Sequence, residues 1–177
     1  NLIADRFQFE LKSSEKVQNY LEDRGIDWNN LQDDFAIGAV KTYLELLKTF
    51  KYYQISDSDL KSILSDLYID DKREAKPYLP FDKAVVVPVY KKNGDFQGFH
   101  GRRIKPGTKP KYFNHAFLTG TAKELLYGEH IDKINQAVKD ANQLILTKGI
   151  FDLFACYQSD FKQVYATLNK GITSKQF

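Results

Sequence analysis

Residues 143–168 read QLILTKGIFDLFACYQSDFKQVYATL. Gln143–Thr147 is an apolar run that predicts a buried strand. Asp152–Tyr157 predicts a helix, and Gln163–Leu168 a second strand. Strand, helix and strand in so short a span form a βαβ unit, whose two strands lie parallel. This places the chain in the α/β class, or α+β in stricter terms. The boundary of the unit falls near residue 142, which divides the chain into 1–142 and 143–177.

Upstream of the unit the periodicity changes twice. Ala84–Tyr90 is apolar and β-branched, Phe96–Ile104 alternates more loosely, and Asn93-Gly94 stands between them. That dipeptide predicts a hairpin whose turn residues both tolerate positive φ. Lys105–Lys111 reads as a Pro/Gly/Lys loop, and Glu124–Tyr127 and Ile131–Val138 as helices. Further back, Ser13-Ser14-Glu15 predicts a helix cap, and Val17, Tyr20 and Leu21 share one stripe that Gly25 ends. Helices are predicted over Asn29–Asp34, Tyr43–Lys51 and Ser56–Leu67, with the Leu/Ile stripes of the last two assigned to the core. Residues 1–10 read as a short lead-in. No repeat or low-complexity segment is present.

The 177 residues, 42% apolar with 13 Phe and 11 Tyr, suffice for one medium domain or two small ones with a real core. A net charge of +3 permits nucleic-acid binding without arguing for it. The charge is uneven. Residues 83–123 hold Lys83, Lys91, Lys92, Arg102, Arg103, Lys105, Lys109, Lys111 and Lys123 against only Asp95. Such a local basic stretch says more than the total.

Cys156 is the only cysteine, so an intrachain disulfide and a cysteine-based zinc site are excluded. It is expected to lie buried and inert on the apolar side of its helix. A reducing cytoplasm suits the composition. No apolar run approaches the ~20 residues of a membrane span, and no signal peptide is visible. The chain starts at Asn1 and lacks Met, which leads us to expect a fragment or processed product. His100, His115 and His130 are too widely spaced for a metal site, and Gly98, Gly101 and Gly128 do not form a phosphate-binding glycine motif. Trp28 is expected to pack at a helix entry.

Taken in order, several segments acquire a meaning that none has alone. These are Asn19–Ala39 (NYLEDRGIDWNNLQDDFAIGA), Val85–Ile104 (VVVPVYKKNGDFQGFHGRRI), Lys109–Asn114 (KPKYFN), Leu126-Tyr127-Gly128, Leu144–Asp152 (LILTKGIFD) and Tyr165–Gln176. Their order and spacing from about residue 16 onward resemble the catalytic core of bacterial and phage-type DNA primases. On this resemblance, residues 1–142 correspond to the N-terminal subdomain with its basic groove, and 143–177 to the start of the TOPRIM domain.

The resemblance implies RNA primer synthesis on single-stranded DNA, with ribonucleotides as substrates. It also implies magnesium held by an acidic cluster of a Glu-Gly-x-x-Asp and a later Asp-x-Asp. Here Lys148 stands at the Glu position, Asp152 is retained, and the Asp-x-Asp would lie beyond Phe177. An ammonium repels magnesium, which takes hard oxygen ligands. No intact catalytic set, no metal ligand and no cofactor are therefore expected in this chain. Lys148 is read either as drift, in a chain without catalysis, or as reuse in gripping an acid or a phosphate. Asn169-Lys170 replace the family's Gly-Thr, and the family's zinc-binding front module is absent.

The resemblance also places Arg102 and Lys111 on the single-strand groove, where they meet phosphates. The competing reading is a solvated basic hairpin and loop, which we prefer for Arg103, Lys105 and Lys109. Tyr112 is a stacking candidate as well as a packing aromatic, and Asn114 is expected to support the loop. Two basic contacts that the resemblance implies are displaced by one position: Ala84 has Lys83 beside it, and Ala122 has Lys123 beside it. The expected function is a single-stranded-DNA-binding, primase-related replication protein that does not polymerise alone. One alternative is a catalytically silent interaction module for a helicase, polymerase or other replication protein. Another is half of a split primase. A phage or mobile-element source would suit the second of these three readings.

Overall fold

The computed structural model describes residues 2–40, 83–107, 111–114, 124–168 and 171–176. The helices predicted at 43–51 and 56–67 lie outside these residues, as do Lys109, His115, Ala122, Lys123, Asn169 and Lys170. Among the described residues, no helix is long and apolar enough to cross a membrane.

The chain begins with a helix, α1 (Leu2–Lys12), where a lead-in was expected. Ala4, Phe7 and Leu11 recur at three- and four-residue spacing and bury one face, a stripe masked by the charged residues between them. Helix α2 (Glu15–Glu22) buries Val17 and Leu21. Ser14 occupies its N-cap position but makes no side-chain capping bond, contrary to expectation. Instead, Gln18 reaches back to the carbonyls of Leu11 and Lys12. Helix α3 (Trp28–Phe35) is capped by Asp27, whose carboxylate accepts from the Asn30 N–H. Trp28 packs there as expected.

Four strands follow as an antiparallel sheet in the order β1 (Gly38–Val40), β2 (Ala84–Tyr90), β3 (Phe96–Arg103) and β4 (Tyr112–Asn114). The sheet is covered on both faces. On one side Phe7 of α1 meets Phe99 edge-on at 5.0 Å. The backbone of α1 comes so close to Gly38 that an added Cβ would sit 2.5 Å from that of Phe7. The β2–β3 turn differs from the predicted one. Gly94 has φ +87°, while Asn93 is not among the positive-φ residues. The Gly94 N–H donates to Lys91, the Lys91 N–H donates to Asp95, and the Asn93 amide oxygen accepts from the Asp95 N–H. These bonds describe a turn whose last residue alone is left-handed, and the register shifts at Val89/Tyr90.

The βαβ unit is present: β5 (Ile145–Thr147) and β6 (Val164–Ala166) are parallel and flank α5 (Ile150–Gln158), after α4 (Asp132–Ala141). Its strands are shorter than predicted, and β5 is not buried. Leu144 and Leu146 are each 41% exposed, because α5 covers only the opposite face of this outer strand. The helix expected at 124–127 does not form. Tyr127 bridges antiparallel to Ala166 instead, which places it beside the small sheet. Cys156 is only partly buried, at the margin of the core. That core is continuous through both parts of the chain. The ring of Phe35 lies 5.0 Å from Phe154, 4.9 Å from Tyr157 and 6.2 Å from Tyr127.

Candidate nucleic-acid interface

In an antiparallel sheet directly opposed residues share a face. Val85 pairs with Arg102, Arg102 with Tyr112, Val87 with His100, and His100 with Asn114. The loose alternation of β3 thus sends His100 and Arg102 to the face that α2 and α5 approach, and β4 adds Tyr112 and Asn114 beside them. Sequence reasoning nominated Arg102, Tyr112 and Asn114, and the structure brings these three together.

Arg102 is only 4% exposed. Its Nε donates to the Tyr20 hydroxyl and its Nη1 to the Tyr112 hydroxyl. The guanidinium carbon lies 4.7 Å from the Tyr112 ring centroid, 5.0 Å from Phe151 and 5.9 Å from Tyr20. These partners are hydroxyls and ring faces, with no carboxylate among them. Among the described residues this buried cation is thus held by neutral groups, and the ring faces around it favour a positive charge. Arg24, which is exposed, stacks 4.7 Å over the other side of this cluster at Tyr20 and 5.6 Å from Phe151.

On the β4 side the series continues. The His100 and Tyr112 rings are near-parallel, 17° apart in plane and 5.8 Å in centroid. His100 Nδ1 lies 2.6 Å from Asn114 Oδ1. An amide oxygen accepts, so the ring carries its proton on Nδ1. Burial pushes the His100 pKa down to about 4, against a smaller upward pull from Asn114. Arg24, Tyr20, Arg102, Tyr112 and His100 therefore form one ladder of planar groups running from α2 to β4. Tyr112 is 38% exposed and offers part of its surface to solvent. Tyr20, Arg24, Phe151 and His100 were missed as site residues. Their contribution depends on elements far apart in sequence, and only the aromatic richness of the chain hinted at it.

The remaining candidates divide. Lys111 is exposed at the start of β4, and its carbonyl accepts from the Arg103 N–H. Lys83 is exposed in the left-handed region, φ +51°, and its carbonyl accepts from the Ile104 N–H at the same end of the sheet. Both thus flank the end of β3 that carries Arg102. Lys123 lies outside the described residues. Arg103 is buried on the opposite face, not solvated as expected. A cleft of about 410 Å³ beside Tyr20 and Ile104 is lined by Glu15 and Asp23 as well as Lys16, so it does not extend the basic surface.

Lys148 and Asp152 lie at the junction of β5 and α5, three residues before and one residue after Phe151, whose ring reaches Arg102. Both are exposed. Magnesium takes oxygen ligands, and this pair offers one carboxylate and one ammonium. Among the described residues no three His, Cys, Asp or Glu side chains converge. The residues present do not fit the metal that the resemblance implies, and we derive no step through it.

Residues 6–131 match the family described as DNA primase catalytic core, N-terminal domain. The DNA primase of Helicobacter pylori strain J99 is 29% identical over 176 residues, covering 97% of this chain and 30% of that protein. The chain thus spans less than a third of the length of this relative. A crystal structure of the Aquifex aeolicus primase, comprising zinc binding and RNA polymerase domains, matches with a TM-score of 0.76 at 26% identity. That match covers 98% of this chain and 42% of the other. A DnaG primase catalytic domain bound to ssDNA shares the fold with a TM-score of 0.73 at 24% identity, over 98% and 55% of the two chains.

Proposed function

Because the chain belongs to the family of the DNA primase catalytic core, we propose that it is a replication protein that binds single-stranded DNA without polymerising on its own. The Arg24–Tyr20–Arg102–Tyr112–His100 ladder carries this reading. Single strands are held by a positive surface that follows the phosphates and by aromatic faces that accept bases. Here Lys111, Lys83 and Arg24 supply exposed charge, Tyr112 supplies an exposed ring, and Arg102 supplies charge from beneath it. Asn114 holds the β4 side of the ladder through His100. Lys123, next in sequence to the described residues, belongs with this basic set. In the intact family the bound strand templates an RNA primer made from ribonucleotides with magnesium. With Lys148 where the family places Glu, this chain binds template without that metal. A cytoplasmic location would follow from the replication role of the family.

A second reading, half of a split primase, is favoured by one observation. Parallel sheets are ordinarily covered on both faces, and β5 leaves Leu144 and Leu146 exposed. The test is fluorescence anisotropy of a labelled oligodeoxythymidine at two salt concentrations, with and without magnesium. Salt-sensitive, magnesium-independent binding is expected. No binding at low salt overturns the proposal.

A further inference from the structure

We infer that His100 is a positioning residue of this site: a neutral imidazole that sets the ring of Tyr112 and the amide of Asn114 for contact with a single strand. The inference rests on the single-strand reading above but concerns a residue that the reading does not need. Three observations converge on it.

The first is place. His100 sits on β3 opposite Val87, where an apolar side chain would pack at no cost, yet the chain buries an imidazole there to 3% exposure. Burying a polar group costs free energy unless specific partners compensate. The second is the identity of those partners. The ring stacks on Tyr112, and Nδ1 bonds Asn114. Both partners are on β4, two residues apart, and among the described residues this three-residue strand pairs only with β3. The orientation of two site residues on a short outer strand thus depends on one side chain of its neighbour.

The third is charge. Tyr112 also lies against the guanidinium of Arg102. Among the described residues, the charged and titratable groups facing His100 are Arg102 on its own strand and Tyr112 on β4. The β2 residue opposite is Val87, and α2 and α5 reach this face with Tyr20 and Phe151. No carboxylate is among them. A protonated imidazole would be a second buried cation against the ring that already faces Arg102. Burial among these groups disfavours the charged form, while the stack on Tyr112 and the bond to Asn114 hold the ring in place.

His130 supplies the comparison. It is also largely buried, with its pKa likewise pushed down to about 4 by burial, but it packs on Tyr90 and Tyr127 and touches neither β4 residue. The experiment measures affinity of the 177-residue chain for fluorescein-labelled oligodeoxythymidine at pH 7.5, alongside thermal unfolding. Loss of one hydrogen bond and one stack at His100→Ala is expected to weaken binding by about fivefold or more. Adding Tyr112→Ala to it is expected to cost no more than Tyr112→Ala alone. His130→Ala is expected to leave affinity within about twofold while lowering stability comparably.

Equal losses at both histidines, or full additivity of His100→Ala with Tyr112→Ala, would overturn the positioning role. If the unaltered chain binds no oligonucleotide, the functional reading fails separately. The inference is then decided by NMR of His100→Phe, which keeps a ring and removes the bond to Asn114. A shifted Asn114 side-chain amide with an unshifted Tyr112 ring supports it. An unchanged Asn114 amide overturns it.

Discussion

Arg102 and Tyr112 are cross-strand partners that meet twice: Nη1 donates to the hydroxyl, and the guanidinium carbon lies 4.7 Å from the ring centroid. The same residue is 38% exposed. One aromatic side chain therefore stands between a buried charge and the surface, and a ligand reaching Tyr112 feels Arg102 through it.

Replacing both Arg102 and Lys111 by Ala should weaken binding of oligodeoxythymidine and reduce its salt dependence, with Lys83 and Arg24 left in place. Each charge removed from contact with phosphate lowers the salt slope on single strands by roughly 0.7. Titrations at 50 and 200 mM salt check this, and an unchanged slope in the double variant would contradict it.

Tyr112→Ala should weaken binding by about tenfold, within the range for loss of one base–aromatic stack. Tyr112→Phe keeps the ring and loses the hydroxyl that accepts from Arg102, so its effect separates stacking from the support of the cation. Anisotropy with the same oligonucleotide reads both, and a Tyr112→Ala affinity equal to that of the unaltered chain would assign the ring to packing alone.

Primer synthesis should be undetectable with this chain alone in the presence of template, ribonucleotides and magnesium, and binding should be unaffected by EDTA. Incorporation of labelled ribonucleotide would show that Lys148 does not block catalysis.

Stability should fall in mild acid. His100 is held neutral, with its pKa lowered from 6.5 to about 4 by burial. As pH drops below 6.5 the unfolded chain takes up a proton that the folded chain refuses, so stability is complete above 6.5 and is lost progressively towards 4. The shift corresponds to up to about 3 kcal/mol. Urea denaturation at pH 7.5 and 5.0 measures it, and His100→Phe should reduce the difference to the share of His130, whose pKa burial lowers likewise. An equal difference in that variant would assign the acid sensitivity to other groups.

Ala36 ends α3 with φ +48°, a left-handed conformation that favours glycine. Ala36→Gly should stabilise by about 0.5–1 kcal/mol. Thermal unfolding decides the sign.

The parts of the fold that sequence revealed are those governed by local physics. The apolar runs around 145 and 164 with a helix between them specify a parallel unit, and the run at 84–90 with Gly94 after it specifies a hairpin. The parts it hid depend on contacts distant in sequence. Glu124–Tyr127 reads as a helix, yet pairing with Ala166 satisfies the Tyr127 backbone and overrides it. Leu144 and Leu146 suggested burial by composition, but nothing among the described residues covers their side of β5. At the site, Arg102, Tyr112 and Asn114 are picked out by the resemblance of their two segments to the primase core. Tyr20 and Phe151 are not, because an aromatic that ends beside a guanidinium reads the same as one that ends in a core.

The paired backbone bonds between Tyr127 and Ala166, 2.8 and 3.0 Å, have a bearing on how this polypeptide can be cut. The break near residue 142 separates two patterns in the sequence, and the hydrophobic core runs across it. A truncation there would leave Phe35 without Phe154 and Tyr157, Tyr127 without its strand partner, and the Leu125 carbonyl without the Gln176 amide. Proteolysis should accordingly yield no long-lived fragment ending at 142. For dissection, exchange or fusion, the segment up to 142 and the βαβ unit behave as one inheritance, and a recombinant boundary drawn between them would divide a single core.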